Sequence, residues 1–224
     1  MKNAIVIGGT GATGRQLIQQ LLNCDDFQSV TSIGRRPVLE GKSHEKLSDI
    51  VIDSMSMLTE TGDSWRGNDV FFNCIGTTRQ KAGGARQFVD VELGISRLAA
   101  NMASDANIPH ASVISASGAN HEAWSVDWIH PLLYTKTIGQ KEQTLITENK
   151  FEKVSIFRPG MLIRLMGDGE WYDGITETLG IGLRVDILSQ AMMNNALYPN
   201  GDEQDKRCNY YIGNKEISEL ANKK

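Results

Sequence analysis

Ile5-Val-Ile-Gly-Gly-Thr-Gly-Ala-Thr-Gly14, running on into Arg15-Gln-Leu-Ile-Gln-Gln-Leu-Leu22, is the stretch from which the rest of the chain is read. A short apolar run, Ala4 to Ile7, stops at glycines. Beyond them Leu17, Ile18, Leu21 and Leu22 fall on one face of a helix. Strand, tight glycine turn and helix is the context in which a glycine pattern signals dinucleotide binding. Gly8 allows the turn, Gly11 lets the backbone approach a pyrophosphate, and Gly14 lets the helix lie close to its strand. The helix N-terminus then offers free N–H groups and a positive dipole end to the phosphates. The spacing is Gly8-x-x-Gly11-x-x-Gly14 rather than G-x-G-x-x-G. A tight turn in some other α/β protein is therefore the competing reading, and the downstream segments decide between them.

Val30-Thr-Ser-Ile33 reads as a second strand ending at Gly34-Arg35-Arg36-Pro37. In a dinucleotide fold an acidic residue here accepts from a ribose 2′-hydroxyl, whereas arginine accommodates a 2′-phosphate. Two arginines and no carboxylate favour NADP(H) over NAD; a solvated basic turn is the alternative. Residues 38 to 46 are polar and read as loop. Ile50-Val-Ile-Asp53 reads as the third strand, with Asp53 just past its carboxyl end. There it either meets the adenine or caps the helix that follows.

Asp69-Val-Phe-Phe-Asn-Cys-Ile75 is a buried strand leading into Gly76-Thr77-Thr78-Arg79. Lys81 to Arg86 is glycine-rich and basic, and is expected to be a mobile loop beside the site. Phe88, Val91, Ile95, Leu98 and Met102 stand at helical spacing and are assigned to the core, with no chemistry. Ala111-Ser-Val-Ile114 is the fifth strand and delivers Ser115-Ala-Ser117-Gly118 to the same edge. Trp124 and Trp128, in the loop from 119 to 131, either line a substrate cleft or pin that loop down. A helix from about Leu132 to Asn149 carries Tyr134, and Val154-Ser-Ile-Phe157 is a sixth strand followed by Arg158-Pro159-Gly160. Gly167 to Gly174 reads as a loop in a substrate cap. A helix from Val185 to Leu197, a strand at Tyr210 to Ile212 and a terminal helix follow. This alternation predicts a single α/β domain, a Rossmann-type doubly wound parallel sheet with a small C-terminal substrate cap. Residues 1 to about 160 form the cofactor core, and about 161 to 224 the cap and C-terminal elements.

The 224 residues suffice for one such domain and its core. A hydrophobic content of 40% and a charged content of 22% are ordinary for a globular protein. The net charge of −4 gives no basic footprint for nucleic acid, and no apolar run reaches membrane-spanning length. The first strand begins almost at Met1, so no signal or transit peptide is expected. Cys24, Cys74 and Cys208 are odd in number and widely spaced, which suits a reducing compartment. The four histidines lack metal-ligand spacing, so no metal is expected. The expected location is cytoplasmic. Oligomeric state has no signature in the sequence.

The chain resembles the short-chain dehydrogenase/reductase superfamily, in particular its atypical branch of Tat-interacting-protein-like, NAD(P)-binding proteins. The resemblance covers nearly the whole chain. It is carried by Gly8-Gly-Thr-Gly-Ala-Thr-Gly14, Ile33-Gly-Arg-Arg36, Cys74-Ile-Gly-Thr-Thr-Arg79 with Lys81-Ala-Gly83, Ser115 to Ala119, Ser155-Ile-Phe-Arg-Pro-Gly160 and Ala191-Met-Met-Asn-Asn195. It implies NADPH along the carboxyl edge of the sheet. Gly8, Gly11 and Gly14 would meet the pyrophosphate, with Thr10, Ala12 and Thr13 in the same cofactor-binding loop; Arg35 and Arg36 would hold the 2′-phosphate, and Asp53 the adenine. Cys74, Ile75 and Gly76 would flank the adenosine, and Arg158, Pro159 and Gly160 would lie near the nicotinamide carboxamide.

The resemblance also implies reduction of a carbonyl in a small organic molecule, with Tyr134 as proton donor and Ser115, or in its place Ser117, orienting the substrate. The superfamily's activating lysine, one turn after the tyrosine, is absent: that position is Ile138. Lys136 lies about 200° around the helix from Tyr134, whereas Lys141 returns to the Tyr134 face about 10 Å along the axis. From there it can lean back toward the tyrosine. The departure leaves the cofactor site intact and sets an NADPH-dependent oxidoreductase against a non-catalytic NADP(H)-binding redox sensor or scaffold.

Overall fold

The computed structural model describes residues 1–126, 129–165, 182–198 and 207–223. Its frame is a sheet of seven parallel strands: β1 (Lys2–Ile7), β2 (Phe27–Gly34), β3 (Leu47–Val51), β4 (Val70–Asn73), β5 (His110–Ile114), β6 (Lys153–Arg158) and β9 (Cys208–Ile212). Two-residue strands β7 (Leu162–Ile163) and β8 (Leu183–Arg184) pair separately. The spatial order is β3-β2-β1-β4-β5-β6-β9. The order reverses between β1 and β4, which opens a crevice at their carboxyl ends. Ala4, Ile5, Val6 and Ile7 are all fully buried, because both faces of a parallel sheet are covered. Val6 packs with Leu17, Leu21, Leu188 and Met192 on one face. Ile5 and Ile7 pack with Trp65, Phe71, Ala99 and Val113 on the other.

Helix α1 (Ala12–Leu22) buries the Leu17, Ile18, Leu21 and Leu22 stripe that its sequence spacing predicts. Helices α6 (Val185–Leu197) and α7 (Asn214–Ala221) share that layer, and the Ser189 hydroxyl donates to the Thr13 carbonyl at 2.9 Å. α6, α7 and β9 therefore complete the central sheet and its helical layer. A buried polar chain ties them down. Ser155 Oγ donates to Asn195 Oδ1 at 2.6 Å, and Asn195 Nδ2 donates to the Tyr211 hydroxyl at 2.5 Å. His110 Nε2 lies 2.9 Å from Ser155 Oγ, whose only proton is already committed, so His110 is the donor there.

Three expectations change. Lys81 to Arg86 is not a loop: α2 (Arg79–Ala82) and α3 (Ala85–Val89) meet at Gly83 and Gly84. Thr78 caps the first of these by accepting from the Lys81 N–H. The following helix is interrupted by a π turn, Asp90–Ile95, before α4 (Ser96–Asp105). A π turn rotates the residues after it about the axis. The buried face accordingly becomes Phe88, Glu92, Ser96, Ala99, Ala100 and Ala103, while Val91, Ile95, Leu98 and Met102 are only partly buried. Finally, Asp53 does not cap the segment after β3. Ser54 does, accepting from the Ser56 N–H ahead of the 3-10 helix Met55–Trp65.

The loop residue Trp124 is 69% exposed, whereas Trp128 and Gly167 to Gly174 lie outside the described residues. All three cysteines are free. Among the described residues no helix is long and apolar enough to cross a membrane.

Candidate cofactor and active site

The glycine loop closes against the end of β4. Gly8 has φ +77°, and a Cβ there would stand 2.6 Å from the Cys74 carbonyl carbon and oxygen. A Cβ on Gly14 would stand 2.3 Å from the Gly8 oxygen. Both contacts exclude any other residue without movement of the backbone. No side chain caps α1, whose N-cap is Gly11, and such an end presents free N–H groups to an anion. Thr10 lies in the open loop, whereas Thr13 is buried beneath it and Ala12 begins the helix.

A cavity of about 540 Å³ opens beside this loop at the switch point. Gly8, Gly9, Thr10, Arg35, Arg36, Asp53 and Ile75 line it, all but Gly9 being residues singled out from the sequence. Its far wall is Val91, Gly94, Ile95 and Leu98, with Met55 and Ser56 beside Asp53. That apolar wall is the stripe expected to be core. It is a surface against which a flat ring can stack. Of the trio at the end of β4, Ile75 reaches the cavity. Cys74 is buried against Gly8, with its thiol pushed up to about 12 by burial despite the opposing charge of Lys141. Gly76 turns away toward Glu92.

The second half of the edge is a charged cluster. Helix α5 (His130–Gln143) carries Tyr134, Ile138, Lys141 and Glu142, and a π turn, Thr144–Glu148, extends it. Glu142 is buried and grips Arg158 twice, accepting from Nε at 2.8 Å and from Nη2 at 2.5 Å. The same carboxylate accepts the Ser115 hydroxyl proton. Arg158 also stands 4.7 Å over the Tyr210 ring, and its hydrogen bond to Glu142 raises its pKa further. Pro159 O accepts the Ser117 N–H at 2.8 Å, and Gly160 N donates to Asn214 Oδ1 at 2.9 Å. The Arg158–Gly160 turn is thus fixed beside Ser115.

Tyr134 packs on Phe88 with ring centroids 5.8 Å apart. Its hydroxyl is pushed up to about 12, first by burial and then by Glu92, with Arg164 opposing. Ile138 is buried and brings no cation. Lys141 does not lean back to the tyrosine. Its Nζ donates to the Ile75 carbonyl at 2.7 Å and to Glu92 Oε2 at 3.3 Å. Glu92 and Glu142 were not found from the sequence. A buried carboxylate is recognisable only through its partner, and these partners lie 49 and 16 residues away. Among the described residues no cluster of side chains suits a metal.

The family model described as NAD(P)H-binding matches residues 8–170. The chain is 30% identical over 215 residues to Protein HTATIP2 of Rattus norvegicus, covering 91% of this chain and 85% of that protein. It is 28% identical over 202 residues to the mitochondrial Protein FMP52 of Meyerozyma guilliermondii, covering 90% and 81%. In fold it matches the oxidoreductase ylbE from Lactococcus lactis with a TM-score of 0.67 at 16% identity, over 98% of this chain and 94% of that one. MoeE5, solved with UDP-glucose and NAD, matches with a TM-score of 0.69 at 15% identity, over 94% and 75%. The chain belongs to the NAD(P)H-binding family of Rossmann-fold proteins, in its Tat-interacting-protein-like, atypical short-chain dehydrogenase/reductase branch.

Proposed function

We propose that this protein is an NADPH-dependent oxidoreductase that reduces a carbonyl in a small organic molecule. The observation that carries the reading is the cavity that gathers the glycine loop, Arg35, Arg36 and Asp53 at the switch point. The two guanidiniums suit the dianionic 2′-phosphate, and charge-assisted pairs of this kind are the stronger ones. Asp53 would accept from an adenine amino group, and the Val91, Ile95 and Leu98 wall would cover the ring. Bound NADPH supplies a hydride for the carbonyl carbon. Tyr134 then donates its proton to the carbonyl oxygen, and Ser115 holds that oxygen after its hydroxyl turns from Glu142. Arg158, Pro159 and Gly160 lie beside Ser115, on the nicotinamide side. The location proposed is cytoplasmic, although the yeast relatives are named mitochondrial; imaging the tagged chain in its native cell tests this.

A second reading, an NADP(H)-binding sensor or scaffold without turnover, is favoured by the site's acid–base chemistry. No lysine stands at position 138, the Tyr134 hydroxyl is raised to about 12, and the Ser115 proton is held by Glu142. A general acid works best with a pKa near the working pH. Tyr134→Phe separates the readings. In an enzyme it abolishes NADPH oxidation with a carbonyl panel and leaves NADPH affinity within about two-fold, since about 0.4 kcal/mol is all that two-fold represents. Wild-type protein that binds NADPH yet turns over none of the panel leaves the second reading standing.

A further inference from the structure

Lys141 and Glu92 are among the most buried charges in the described residues, with side-chain exposures of 1% and 2%. Together they hold the loop after β4 at two successive points. Lys141 Nζ binds the Ile75 carbonyl at 2.7 Å, and Glu92 Oε1 accepts the Thr77 N–H at 2.5 Å. Between these two bonds lies Gly76, where a Cβ would stand 3.9 Å from Glu92 Oε1. Glu92 belongs to the π turn whose neighbours Asp90, Val91, Gly94 and Ile95 line the cavity. One ion pair therefore joins α5, the cavity wall and the loop at the crevice.

A buried pair of this kind is weak evidence for stability, because well-packed apolar side chains of similar volume often serve as well. What it does supply is position. Of the loop, Ile75 touches the adenosine cavity, whereas Gly76 and Thr77 are outside its lining. We propose that Lys141 and Glu92 are positioning residues, which fix Ile75–Thr77 as a backbone rail for the part of NADPH beyond the adenosine. The activating lysine that the resemblance leads one to expect one turn after Tyr134 is absent, and the lysine on the next turn acts on the protein backbone instead. This rests on the NADP(H) reading above.

The test compares two charge-free double variants, Glu92→Met/Lys141→Met and Glu92→Gln/Lys141→Met. The first removes both holds on the loop, and the second keeps an acceptor for Thr77. NADPH and adenosine 2′,5′-bisphosphate are titrated into each, and hydrogen exchange is read at the Thr77 amide. With two hydrogen bonds lost, the Met/Met protein is expected to bind NADPH about ten-fold more weakly, and the Gln/Met protein about three-fold. The bisphosphate affinity stays within about two-fold in both, and the Thr77 amide exchanges faster only in Met/Met. Unchanged NADPH affinity overturns the proposal, and so does an equal loss for both ligands, which marks a general structural defect. If Met/Met fails to fold, Gln/Met carries the test with the same two refuting outcomes. Wild-type protein that binds neither ligand refutes the cofactor reading instead.

Discussion

Replacing Gly14 with alanine tests whether the glycine loop and the helix after it act as one cofactor-binding unit. The new Cβ would lie 2.3 Å from the Gly8 oxygen, 2.9 Å from its carbonyl carbon and 3.0 Å from the Gly9 Cα. Ordinary carbon contacts are about 3.5 Å or more, so helix and loop must part by roughly 1 Å. Overpacking of this sort costs about 1–3 kcal/mol, and alanine in a helix returns up to about 1 kcal/mol. With the full offset the net loss is up to about 2 kcal/mol, or a fall in Tm of up to roughly 8 °C for a chain of this size. The domain survives, but the first-turn N–H groups of α1 move away from the pyrophosphate. NADPH affinity should then fall by about ten-fold or more, since 1.4 kcal/mol of lost anion binding is about ten-fold. Gly62→Ala is the control, because a Cβ there meets nothing within 4 Å. Fluorescence titration and thermal melts read the two effects. A Gly14→Ala protein that melts and binds NADPH like the wild type would refute the close approach of helix and loop.

Leu98→Glu puts a carboxylate on the apolar wall of the cavity. It should weaken NADPH binding by about ten-fold while shifting stability by only about 0.5–1 kcal/mol, because Leu98 is partly exposed; unaltered affinity in a titration removes that wall from the site. His110 is held well below the ordinary 6.5, first by burial and then by Lys153 and Lys2. As pH falls through about 6.5 the unfolded chain takes a proton that the folded chain refuses, so stability drops by up to about 1.4 kcal/mol per unit until the folded pKa is reached. Melting curves from pH 8 to 5 should show this loss, and His110→Gln should flatten it; equal slopes in both proteins would contradict the assignment. Ile138→Lys restores a cation one turn from Tyr134 and should raise turnover of any carbonyl substrate that the wild type reduces slowly. A steady-state rate at or below wild type would show that the missing lysine does not limit the reaction.

What the sequence reveals of this molecule follows the range of the interactions. The glycine loop, the apolar run Ala4 to Ile7 and the Arg35–Arg36 pair are local patterns, and each stands where its pattern implies. The stripe Val91, Ile95, Leu98 and Met102 is half legible: Ile95, Leu98 and Met102 do pack on the core, but a helical period says which residues share a face, not that the face also borders a cavity. A π turn then brings Glu92 inward and three of the four to the cavity. Asp53 and Ser54 are both good caps by type, and only the backbone shows that Ser54 takes the role. The pairs Lys141–Glu92 and Arg158–Glu142 join residues 49 and 16 positions apart. Glu92 and Glu142, taken alone, read as solvated charges. Tyr134 and Ser115 are named by family resemblance alone, whereas the carboxylate that accepts the Ser115 hydrogen bond is visible only once the chain is folded.

The crevice at the switch point is proposed to bind NADPH through the glycine loop and the arginine pair. Titration of the purified protein with NADPH and with NADH, followed by nicotinamide fluorescence, tests it most directly. Charge-assisted bonds to the 2′-phosphate are each worth about 1.5–3 kcal/mol, so NADPH should bind at least about ten-fold more tightly than NADH. Arg35→Ser/Arg36→Ser should erase that preference. Equal affinity for the two nucleotides in the wild type, or binding of neither, would contradict the account.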